Sequence, residues 1–131
     1  MNPAGYLMWE HRRIGEVVDL IDWKKEDIGR QEIVEEDFII ELVDFFRTYA
    51  DAFHHGKEED ILFKRLKEKD MSHEDWKIME GLIEDHKKGR GLVSKLEDAG
   101  NELYEGNQGS MKDIYTCFMD IVELYRRHIK T

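Results

Sequence analysis

Apolar residues recur along this chain at alternating steps of three and four, the spacing that lays them along one side of an α-helix. The first such seam is Leu7, His11, Ile14, Val18 and Ile21. A later one is Met79, Leu82, His86, Gly89, Val93 and Leu96, and the last is Ile114, Phe118, Ile121, Tyr125 and His128. Asn2-Pro3 supplies an N-cap type and a proline at the first helical position, which predicts a helix from there to about Lys25. A second helix is expected from near Val34 to about Lys67, a third from Ser72 and a fourth from Ser110. Ser72-His73-Glu74-Asp75 and Ser110-Met111-Lys112-Asp113 read as capping boxes with Asp in place of Glu, and Asp70-Met71 and Gly106-Asn107-Gln108-Gly109 as the turns before them. Few β-branched residues alternate, and only one proline interrupts the chain. The expected fold is all-α, an up-down-up-down antiparallel four-helix bundle forming a single domain over residues 1–131.

The second stretch breaks the pattern. Its early seam is Ile39, Leu42, Phe46, Tyr49 and Phe53, flanked by Val43 and Ala50, and it runs into FHHGKEEDILF, residues 53–63. At roughly 100° per residue, His54 lies about 80° from the centre of that stripe, Glu58 about 120° and His55 about 180°. Beyond Glu59 the apolar set Ile61, Leu62 and Leu66 has its centre rotated by roughly 150° toward His54 and Glu58. His54 and Glu58, four residues apart, fall between the two stripes as an inward pair. Glu59 is expected to face solvent, and periodicity leaves His55 undecided.

A single core histidine is more often a hydrogen-bonded packing residue than a ligand, and a buried carboxylate is costly unless paired. Here three seams carry a histidine each, His11, His86 and His128, and the fourth helix has His54 beside its stripe. In an antiparallel bundle, early positions on odd helices meet late positions on even ones, so all four histidines fall toward one end. Metal sites in bundles are built from inward side chains on facing helices. Imidazole and carboxylate without thiolate suit iron, manganese or zinc, and a carboxylate could bridge two metals. His73, inside a capping box, is expected to be exposed; Cys117 is expected to pack, and Tyr49, Tyr125, Trp9 and Phe53 to be core aromatics. Gly89 and Gly91 would permit close approach near His86.

Composition narrows the partners. Thirty acids against twenty Lys and Arg give a net charge of −10, which repels phosphate backbones and anionic headgroups. Nucleic acid and membrane are therefore not expected as partners. The start MNPAGYLMWEHRR has no long apolar run, Asn2 stands where N-myristoylation requires glycine, and a lone Cys117 forms no internal disulfide. The expected setting is cytoplasmic; the oligomeric state is not readable.

Four segments, Glu10-His11-Arg12, His54 to Phe63, Glu84 to Arg90 and Tyr125 to Ile129, resemble the hemerythrin-like, or HHE cation-binding, family over nearly the whole chain. The resemblance implies a four-helix bundle holding two carboxylate-bridged, non-haem iron ions. It puts His11, His54, His86 and His128 among the metal ligands, with Glu58 as bridge. Some relatives coordinate through the residue after the helix-two histidine, which makes His55 a candidate. The family's second bridging acid follows the last-helix histidine by four or five residues, and this sequence stops at Thr131; the expectation is that the natural product continues. Oxygen carriers have a second histidine four residues after the third-helix one, where this chain has Arg90. The implied function is binding or sensing of a small ligand such as dioxygen, nitric oxide or peroxide, with iron storage, delivery or iron-centre repair as the alternative. Zinc or manganese are further possible occupants. No nucleophile and base pair is readable, so an enzyme is not expected over a metal-binding protein.

Overall fold

The computed structural model describes residues 3–29, 34–57, 59–60, 64, 72–107 and 109–130, with the side chains of 3–8, 29, 52–55, 75 and 129–130 also outside the description. Among the described residues the chain is an all-α bundle of four helices: α1 Pro3–Gly29, α2 Glu36–Phe45, α3 His73–Tyr104 and α4 Ser110–Lys130. A π-helical segment, Phe46–His55, continues directly from α2.

Helix α1 starts at Pro3, as its fixed φ favours, but runs on past Lys25 to Gly29. Its last turns are polar outside and apolar inside. Lys25 pairs with Asp22 at 3.1 Å and Lys24 with Asp27 at 3.5 Å along the helix, while Ile28 is buried. Helix α2 begins two residues after Val34, with Glu36 and Asp37 in its first turn, where negative charge meets the exposed N–H groups. Val34 itself is buried just before the extended Glu35, and its carbonyl accepts from the Tyr104 hydroxyl at 2.7 Å.

Helix α3 ends in a Schellman turn. Gly106, at φ 107°, takes the left-handed conformation that glycine adopts without penalty. The Gly106 N–H donates to Leu103 O and the Asn107 N–H to Glu102 O, both at 3.0 Å, satisfying two terminal carbonyls. At the start of α4 the Ser110 hydroxyl donates to Glu102 at 3.2 Å across this turn, and the Asn107 side chain accepts from Gly109 N–H at 3.1 Å. Ser110 thus ties two helices together instead of acting within the expected local capping box.

The helices pack by side-chain pairs whose numbering runs in opposite directions. Arg47 meets Glu97 and Asp51 meets Arg90 between the second helix and α3; Glu102 meets Ser110 and Asp85 meets Arg127 between α3 and α4. Arg126 of α4 reaches Asp19 and Asp22 of α1 at 3.0 and 3.1 Å. Seam residues of every helix meet in one core that includes Ile14, Ile21, Phe46, Leu96, Phe118 and Ile121. Phe38 packs edge-on to Phe118, and a Cβ at Gly100 would come within 3.0 Å of Ile39, so the α2–α3 contact uses the missing side chain. Trp9, expected in the core, is exposed at the bundle surface with the Arg13 guanidinium 4.7 Å from its ring centre. Its position, two residues before His11, turns it away from the seam.

Phe118 is fully buried. Phe118→Ala is expected to lower unfolding stability by about 3–5 kcal/mol, read as a reduced urea midpoint with unchanged slope.

Candidate metal centre

His86 and His128 are the buried polar residues around which the site is built, 1% and 5% exposed. The heptad-like seams of α3 and α4 carry both inward. Their ring centres lie 5.2 Å apart, and the partly buried His11 ring is 6.4 Å from His128. Three predicted histidines from three helices are therefore brought to one end of the bundle. His73 is exposed at the start of α3, as expected of a residue in its first turn.

The second helix reaches the same end. Lys57 Nζ lies 3.6 Å from Glu10 Oε1, and Glu59 Oε1 lies 2.9 Å from His86 Nδ1. That second contact corrects the expectation for Glu59: its carboxylate is only 32% exposed and rests on the buried imidazole. The cause is backbone geometry. A π-helix closes its hydrogen bonds over five residues rather than four, so each wide turn carries an extra residue and delays every later side chain around the axis. The second apolar stripe read in FHHGKEEDILF, Ile61, Leu62 and Leu66, lies outside the described residues; what is described is a π-helical segment, Phe46–His55, that ends inside that stretch. His54 and His55 lie at the end of that segment; their side chains, and all of Glu58, fall outside the described residues.

Acidic groups flank the histidines. Asp85 Oδ2 is 3.4 Å from His128 Nδ1, and Asp85 Oδ1 accepts from Arg127 at 3.1 Å. A neutral imidazole that donates its Nδ1 proton to a carboxylate carries its lone pair on Nε2, the arrangement that prepares a histidine for a metal. Among the described residues, no three His, Cys, Asp or Glu side chains form a group that could hold a metal ion. His11, His86 and His128 converge without closing a chelate by themselves.

Glu59, Asp85 and Glu10 were absent from the predicted set. Glu10, 2% exposed, was detectable: it precedes Ile14 and Val18 by steps of four and so lies on the α1 stripe. Asp85 precedes a seam histidine by one residue and engages a different helix, which periodicity does not reveal.

Beside His86, Gly89 lets α4 approach closely; a Cβ there would lie 3.0 Å from the Tyr125 hydroxyl, whereas nothing lies within 4 Å of one at Gly91. Tyr125 is buried, packs its ring 5.0 Å from Phe46, and is pushed well above the usual phenol range by desolvation, with Asp51 adding to the effect. The expected packing role of Cys117 agrees with its burial, which raises its thiol pKa. Arg90 donates from Nε to both Asp51 oxygens at 3.0 and 2.8 Å, an interaction that holds its guanidinium even more firmly protonated.

The model for the hemerythrin HHE cation binding domain matches residues 2–131. The chain belongs to this hemerythrin family. No curated protein and no solved structure matches it. Membership makes this hemerythrin domain a cation-binding protein, and no helix among its described residues is long and apolar enough to cross a membrane.

Tyr125 and Tyr104, the latter raised to about 12, both stay protonated in the fold above pH 10, where the unfolded chain loses those protons. The folded state then binds more protons than the unfolded one, so stability falls as pH rises from about 10 toward 12. Denaturant midpoints measured across that range should drop, and Tyr125→Phe should flatten the decline.

Proposed function

We propose that this hemerythrin domain holds two non-haem iron ions through His11, His54, His86 and His128, with Glu58 as bridge and His55 as a further donor, and binds or senses dioxygen, nitric oxide or peroxide. The observation that carries the reading is the convergence of His11, His86 and His128 from three helices, two of them sealed from water with Nδ1 against a carboxylate. Buried imidazoles flanked by acids and lacking thiolates fit ferrous or ferric iron, and also zinc or manganese. Iron bound there would supply an open coordination position for a small ligand.

The chain's own residues shape that position. Glu59 orients His86, and Asp85, itself steadied by Arg127, orients His128. Phe46, Ile14 and Phe118, all 1% exposed or less, belong to the apolar core that keeps bulk water out of the bundle. Burial of the His86 and His128 rings strengthens each charge interaction they make.

A specific observation favours the alternative of iron storage, delivery or repair. Arg90 stands where the resemblance to oxygen carriers calls for a second α3 histidine, and its guanidinium is engaged by Asp51. A smaller ligand set holds iron less tightly. Release of iron to a chelator, followed together with the visible spectrum on admitting air, separates the two: rapid loss without an oxygen-dependent charge-transfer band assigns iron handling.

Iron content after anaerobic purification is expected to fall sharply in His86→Ala and His128→Ala, with helicity by circular dichroism retained. Glu59→Gln and Asp85→Asn should weaken iron binding by about 10- to 100-fold, the usual cost of losing an orienting carboxylate. Unchanged iron in His86→Ala would sink the proposal.

A further inference from the structure

A cavity of about 310 Å³ opens between the π-helical segment, α3 and α4, with the His86 imidazole, the Tyr125 ring and Phe46 among its walls. At about 30 Å³ per water, it has room for a guest of three or four heavy atoms with several waters. Its charged lining comprises Arg47, Asp51 and Arg90.

The two arginines are used differently. Arg47 spends both terminal nitrogens on Glu97, at 2.7 and 3.1 Å. Arg90 meets Asp51 only through Nε. A guanidinium has five N–H donors, so the four on its terminal nitrogens have no partner among the described residues. Those four form the flat fork that matches a planar oxyanion. Asp51 fixes the fork in place, Phe46 and Val93 supply apolar wall, and the half-exposed Arg90 side chain leaves the fork reachable from the cavity mouth. Gly89 also lines the cavity, and a Cβ there would sit 3.0 Å from the Tyr125 hydroxyl, a tight contact that glycine avoids.

We propose that this cavity is a binding site for a small planar oxyanion, gripped by the terminal nitrogens of Arg90 beside His86. The site goes beyond the metal reading, since Arg90 recognises the anion whether or not His86 is a ligand. Carboxylate and nitrogen oxyanions share this chemistry, with formate and nitrite the smallest of each.

Calorimetric titration of the purified full chain with sodium formate and with sodium nitrite tests it, each sample's iron content being measured separately so that failure of the metal proposal is read independently. Binding of at least one anion is expected, with neutral formamide not bound. Arg90→Gln should weaken the anion about tenfold or more, the loss expected for a charge-assisted pair. Arg90→Lys, which keeps the charge without the fork, guards against a folding defect in the first variant and should also bind more weakly than wild type. No binding of either anion, equal binding of formamide, or undiminished affinity in the Arg90 variants would overturn the site.

Discussion

An imidazole shut away from water must find partners for its ring nitrogens inside the protein, and at His86 this requirement draws three helices together. Glu59, beyond the π-helical segment, meets its Nδ1; His128 of α4 lies against its ring; Gly89, one turn on, lets Tyr125 pack beside it. None of these contacts is local in sequence. The second helix must arrive at the right depth and rotation for Glu59 to serve, and the wide turns of Phe46–His55 set that rotation. The segment costs hydrogen-bond regularity, which fits the tendency of such geometry to occur beside functional groups.

The acidic balance of the chain acquires a local meaning at the histidine end. Glu10, Asp51, Glu59 and Asp85 each face a cation or an imidazole, whether Lys57, Arg90, His86, or the His128 and Arg127 pair. Elsewhere the charges do ordinary surface work, as in the exposed Arg47–Glu97 and Arg126–Asp19 pairs, where solvent screening leaves little net stability. The same side-chain types thus orient buried rings at one place and solvate helices at another. Burial of the partner, rather than the net charge, decides which.

Much of the fold was legible because straight helices preserve their period. Ile14, Val18 and Ile21 in α1, and Ile114, Phe118 and Ile121 in α4, are buried as their spacing demands, and His86 and His128 are carried inward with them. The readings that failed have physical causes. Trp9 is apolar by type, but its angular position faces solvent, where Arg13 covers its ring. Glu59 was assigned by extrapolating an α-helical angle through a stretch that is not α-helical. Ser110 and Asp113 have the spacing of a cap, in which the hydroxyl would accept from the Asp113 N–H, yet the Ser110 hydroxyl instead donates to the Glu102 carboxylate on the preceding helix.

By itself the sequence determined the helical class, the core seams, and the placement of His11, His86 and His128 on inward faces, because these depend on residue type and a constant turn per residue. The motif segments determined family membership, since order and spacing survive without coordinates. Tertiary structure decided which carboxylates steady which rings, how Arg90 is held, and that a cavity opens beside His86. Those outcomes depend on distances between residues remote in the chain and on a local change of helical pitch, neither of which has a period that a sequence can display.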